Sequence, residues 1–214
     1  MQGSGIAMSR LFAALTGAVA AVALSGVAQA QGPTPPGPTV VRGKVISLTG
    51  DVLTVKPEKG APEKVALSPT WTVAVMKPVA IDAIQPGSFI GTTEMPKSEG
   101  AGRSLEVHVF PPGVKMGEGH YGWDLKPGSM MTNGTVGKVV AGKKGSRELD
   151  VAYNGTGLRH ITVPAKVPVV QITGGAREQV KPGIPVFMVV RKNPDGSMAA
   201  SSVSIGENGA KPPM

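Results

Sequence analysis

Residues 96 positions apart match along most of this chain, and that repeat constrains the fold more than any other feature. Val55 matches Val151, Val65 matches Ile161, Leu67 matches Val163 and Val73 matches Val169. Pro86-Gly87 matches Pro182-Gly183, Ile90 matches Val186, Gly100 matches Gly196, Val107 matches Val203 and Val109 matches Ile205. The spacing holds without a gap from Leu53 to Val109. Upstream it shortens to 91, where Gly43-x-Val45 matches Gly134-x-Val136. The difference falls on Gly142-Lys143-Lys144-Gly145-Ser146, in the first hairpin of the second copy. Insertions are tolerated in loops, so the mismatch fits two copies of one unit.

Each copy reads as short strands. Val41 to Ile46 alternates in character, Thr49-Gly50-Asp51 turns, and Val52 to Val55 returns as a hairpin. Lys64 to Leu67 and Trp71 to Met76 read as a third and a fourth strand, separated by Ser68-Pro69. Ala80 to Gly87 reads as one helical turn stopped by Pro86-Gly87, with Ile81 and Ile84 on one face. Ser88–Met95 and Ser104–Phe110 close the set. With Gly 30 and Pro 20 there are many turns, and at 4% aromatics the cores must be aliphatic. Short strands in this number protect their edges by curling into barrels or by packing as sandwiches. The expectation is an all-β protein of two tandem small OB-like β-barrels, each with one short helical turn. A sandwich built across the two copies is the alternative.

The expected boundaries follow. Residues 1–30 read as a secretory signal peptide: Met8-Ser9-Arg10, the apolar run Leu11 to Leu24, then Ala28-Gln29-Ala30 in an Ala-x-Ala pattern. Residues 31–39 are a Pro/Gly-rich linker, 40–112 the first barrel, 113–131 a Gly-rich connector, 132–206 the second barrel and 207–214 a flexible tail. The run from Leu11 to Leu24 is short for a bilayer span and no second one follows, so no transmembrane segment is expected after cleavage. With Cys 0, neither disulfides nor a cysteine lipid anchor is available. The periplasm is the expected location. The formal charge of +8 is spread thinly, with Lys143, Lys144 and Arg147 its densest cluster.

The connector gathers most of the distinctive chemistry: Gly117-Glu118-Gly119-His120-Tyr121-Gly122-Trp123-Asp124, running on to Met130-Met131. With Glu106-Val107-x-Val109-Phe110-Pro111 before it and Met131-Thr132-Asn133-Gly134-Thr135-Val136 after it, the pattern resembles an exported bacterial family. That family, mostly proteobacterial, carries OB-like domains of unknown function. The resemblance runs from about Val40 to Ile205 and implies export and OB-like barrels. Its members are often labelled metal-transport permeases, a label from which this chain departs because no mature segment could span a membrane, and no catalytic residues are carried over.

The residues exclude several function classes. Of the three histidines, His108 and His160 sit in strand patterns, and no nucleophile is spaced to serve a His120–Asp124 dyad. Gly-x-Ser-x-Gly, Walker and His-Glu-x-x-His motifs are all missing, so an enzyme is not expected. Nucleic-acid binding needs aromatic platforms and a basic groove, and this sequence has too few aromatics to supply them. Two readings of the connector remain. Met116, His120, Met130 and Met131 supply thioethers and an imidazole suited to copper(I), or to zinc, with Trp123 capping the cation. Alternatively, Trp123 plugs the gap between barrels, the methionines enter the core, and Glu118 and Asp124 bond loop amides. The expected function is a non-catalytic binding or interaction module with an unknown ligand or protein partner. Metal handling is the alternative.

Overall fold

The computed structural model describes residues 37–214; the signal-peptide segment and most of the linker lie outside the described residues. Twelve strands form among them: β1 (Thr39–Thr49), β2 (Val52–Lys56), β3 (Glu63–Pro78), β4 (Phe89–Ser98), β5 (Ala101–Val109), β6 (Gly119–Gly122), β7 (Met130–Ala141), β8 (Arg147–Tyr153), β9 (Gly157–Val163), β10 (Val169–Gly175), β11 (Pro185–Lys192) and β12 (Met198–Gly206). The only helical pieces among these residues are single 3-10 turns, including Ile81–Ala83 and Arg177–Gln179 at matching places in the two halves.

The strands close into two five-stranded rings. In the first, β1 pairs with β2, β2 with β3, β3 in parallel with β12, β12 with β11, and β11 with β1. In the second, β7 pairs with β8, β8 with β9, β9 in parallel with β5, β5 with β4, and β4 with β7. This order, with one parallel pair closing an otherwise antiparallel barrel, is OB-like, and the all-β fold class stands as expected.

The division of strands between the rings differs from the expected boundaries. Neither 40–112 nor 132–206 closes a barrel of its own. The first ring takes β1 to β3 from one half and β11 and β12 from the other, and the second takes β4 and β5 with β7 to β9. The length of β3 explains the exchange. Sixteen residues at about 3.3 Å each span roughly 50 Å, more than a small barrel uses. The far end of β3 therefore leaves the first ring and delivers the chain to the second. Val79, Ile81 and Ile84 then pack into the second core, whereas Val180 and Ile184 pack into the first.

The two segments expected as separate strands, Lys64–Leu67 and Trp71–Met76, are one strand. Pro69 lies where the β12 ladder is interrupted, between Leu67↔Ala200 and Thr72↔Ser202, so its missing N–H costs no ladder bond. The rings are joined by β10, antiparallel to the end of β3 and parallel to β5. In that ladder Met76 pairs with Ile172, its own counterpart 96 positions on.

Alternation supplies the cores. Inward residues of the first ring include Val45, Leu53, Val55, Val65, Met188 and Val203; those of the second include Ile90, Val107, Val136, Leu149, Val151 and Ile161. The segment expected as a flexible tail is packed. Glu207–Gly209 forms a 3-10 turn, Pro212 is buried, Lys211 pairs with Glu58, and the Arg42 Nε–H donates to the Met214 carbonyl at 2.8 Å.

Candidate functional site

The connector is more ordered than a Gly-rich loop implies. After turns at Gly113 and Gly117, both with positive φ, β6 pairs antiparallel with the start of β7: Gly119↔Asn133, His120↔Thr132, Tyr121↔Met131, Gly122↔Met130. The hairpin is closed by Lys126-Pro127-Gly128-Ser129, where Gly128 takes φ 77° and Ser129 N–H donates to the Lys126 carbonyl at 2.9 Å. The buried Ser129 hydroxyl accepts from Lys126 N–H at 3.0 Å and lies within bonding range of the Trp123 and Lys126 carbonyls.

This register decides the proposed metal set. Paired residues share a face and neighbours alternate, so His120 lies on the face of Thr132 and Met130, and Met131 lies on the opposite one. Met131 packs with Trp123 and Phe187, while Met116 is 59% exposed in the loop before β6. Met131 therefore leaves the set of Met116, His120, Met130 and Met131, and the four do not converge on one point. Among the described residues, no group of three or more His, Asp or Glu is arranged to hold a metal ion.

His120 instead enters a buried polar network in the second ring. Its Nδ1 is 2.8 Å from Thr132 Oγ1 and 3.6 Å from Glu94 Oε1. Glu94 is fully buried and receives Arg159, whose Nε–H donates to Oε1 at 2.9 Å. A second guanidinium N–H of Arg159 donates to the Ala101 carbonyl at 3.0 Å. Burial first, and the nearby Arg159 charge second, hold the His120 pKa down to about 4, so the imidazole is neutral at pH 7. Burial pushes Glu94 up, opposed by Arg159 and Thr132. Thr92 and Ser104 form a separate buried pair, their hydroxyls 2.8 Å apart and each within bonding range of the Glu106 carbonyl. Gly102 makes room for Glu94, because a Cβ there would run into its Oε2.

A second buried group lies along β4 and β5, where Glu106 contacts both Thr93 and His108. Asn133 donates to the Gly117 carbonyl at 2.8 Å and to Tyr121 Oη at 2.7 Å, which ties the connector to β7. Sequence reasoning missed Glu94, Glu106 and Arg159. The available signal was Thr92-Thr93-Glu94, polar at successive positions where a half-buried strand should alternate.

Trp123 lies where the two rings approach each other. It packs with Met131 of the second ring and with Val40 and Phe187 of the first, and it is 9% exposed. Its indole N–H is buried without a hydrogen-bond partner among the described residues. Glu118 accepts from the Asn154 amide at 3.0 Å. Asp124 is held chiefly by a side chain rather than by loop amides, with only its own amide contributing. It takes both arms of the Arg42 guanidinium, at 2.7 and 2.8 Å, and that pairing lowers its pKa.

Two adjoining grooves open beside this fork. One, of about 790 Å³, runs between the rings and is lined by Val79, Leu125, Pro168, Val170, Asp124 and Arg42 among others. The other, of about 440 Å³, lies over β1 and the end of β2 and is lined by Arg42, Lys44, Lys56, Phe187, Lys211 and Met214 among others. Comparison with known families, with curated proteins and with solved structures found no match for this chain. No helix among the described residues is long and apolar enough to cross a membrane.

Proposed function

We propose that the protein is a non-catalytic binding module that works in the periplasm after export and takes its ligand in the cleft where the two rings meet. The observation that carries this reading is the pair of adjoining grooves, with apolar walls and Arg42 common to both. Their volumes fall in the range of about 300–1,000 Å³ typical of ligand sites, and domain boundaries are where such sites concentrate. The leader-like Leu11–Leu24 run with Ala28-Gln29-Ala30, and the lack of cysteine, support export. The hydroxyl beside His120 belongs to Thr132, which is buried and directed at Glu94, so this histidine has no exposed nucleophile to activate.

Anilinonaphthalene sulfonate, an apolar anion, tests the reading directly. Its fluorescence should rise saturably with one probe per chain, and amide shifts should concentrate on residues 42–44, 56–58, 124–125, 167–170 and 211–214. Non-saturable binding, or shifts scattered over the rings, would remove the cleft as a site.

A further inference from the structure

We propose that the open edge of β1 at residues 39–43 receives an extended acidic peptide from a partner protein as an added strand, a place that β6 fills in the second ring. The inference rests on the binding-module reading and specifies its ligand.

The observation begins with β7. Over Met130–Asn133 it pairs with β4 on one side and β6 on the other, and from Thr135 onward β8 takes over the second side. The corresponding stretch of β1, 91 positions earlier, is Thr39–Arg42. It pairs with β11 on one side, but β2 begins only at Lys44. Among the described residues, no strand pairs with the second side of β1 over 39–43. Unpaired edges of this kind are the usual template for strand addition, in which main-chain bonds give affinity and flanking side chains give selectivity.

The surroundings select the occupant. The approach to β6 in the second ring, Lys115–Glu118, has as its counterpart 96 positions on Lys211–Met214, which lines the 440 Å³ groove beside the β1 edge. Lys44 and Lys56 stand directly opposite each other across the β1–β2 ladder. Like charges so placed repel, and an anion between them relieves the repulsion. Arg42 and Lys211 already have carboxylate partners in Asp124 and Glu58, whereas Lys44 and Lys56 have none among the described residues. The groove thus combines a free strand edge, apolar walls and two uncompensated cations, which suits an extended segment carrying Asp or Glu.

The test uses the full chain and two octapeptides, one alternating valine with glutamate and one alternating valine with lysine. The acidic peptide should slow amide hydrogen exchange within residues 40–43 by about tenfold or more, and the basic one should not. Exchanging Lys44 and Lys56 for glutamate (K44E/K56E), both on the surface, should reverse that preference. Protection by the acidic peptide elsewhere in the chain, or equal protection by both peptides, overturns the proposal. If anilinonaphthalene sulfonate fills the cleft while neither peptide protects β1, the cleft stands and strand addition falls. If the probe fails as well, the binding-module reading falls with it. Protection that rises with protein concentration in the absence of peptide would assign the edge to a second copy and overturn a foreign partner.

Discussion

The two rings share a strand order but differ at corresponding positions of one end. Where the first ring places Met188, Val190, Met198 and Ala200, the second places Thr92, Glu94, Gly102 and Ser104, each 96 positions earlier. Even the cross-strand partners correspond: Lys192 pairs with Met198 as Pro96 pairs with Gly102. At these positions apolar side chains therefore suffice, and the polar network in the second ring is not a requirement of the barrel. That network is compensated only at one oxygen, since Glu94 Oε2 is buried with no hydrogen-bond partner among the described residues. Glu94 has Arg159 and Thr132, and Gly102 leaves the space that Met198 occupies in the other ring. A buried ion pair of this kind is weak evidence for stability, since well-packed apolar residues often do as well.

Removing one partner should break that comparison most sharply. Arg159→Met leaves Glu94 buried and unpaired, and should cost about 3–5 kcal/mol in denaturant unfolding. Replacing both, Glu94→Val with Arg159→Met, removes both charges together and should recover most of the loss. A double variant no more stable than Arg159→Met would show that the two rings differ by more than their side chains.

The rings also differ in how visible they were in the sequence. Alternation, the Pro-Gly stops and the 96-residue spacing made most strands and the barrel class legible, because these are local signals. The exchange of β4 and β5 for β11 and β12 was not legible, because the same alternation serves a strand that closes on its own half or on the other. The unbroken length of β3 carries that information, and Ser68-Pro69 disguised it. Within the connector, Trp123 could be placed from its size alone. The face of Met131 could not be assigned until β6 was known to pair with β7, since a one-residue change of register exchanges the faces. Glu94 and Arg159 are 65 residues apart, and nothing local marks them as partners.

Trp123 links the two rings, so its loss should affect both at once. Its side-chain ring lies 6.1 Å from that of Phe187, in a cluster with Met131 against which Val40 packs. Truncation of a large buried aromatic costs about 3 kcal/mol or more. Trp123→Ala should lower the melting temperature and, if the rings then unfold separately, split one calorimetric transition into two. A single transition at the unchanged temperature would mean that β10, with its ladders to β3 and β5, couples the rings without Trp123.

The smallest effect expected is the pH dependence contributed by His120, which belongs to the second ring alone. Its folded pKa of about 4 lies below the ordinary value of 6.5. Above pH 6.5 the imidazole is neutral whether the chain is folded or unfolded, and it adds no pH dependence. As the pH falls from 6.5 toward 4, the unfolded chain binds the proton first, so the folded state loses stability across that window. The slope is at most about 1.4 kcal/mol per pH unit and is reduced by the partial exposure of the ring. Glu94 works in the opposite direction, because its raised pKa lets the folded state take up a proton earlier. Wild type and His120→Gln both keep Glu94, so the stability difference between them isolates the histidine. That difference should be flat above pH 6.5 and should move in favour of His120→Gln as the pH approaches 4. A difference that stays flat across the whole range would show that His120 does not lie in the desolvated network around Thr132 and Glu94.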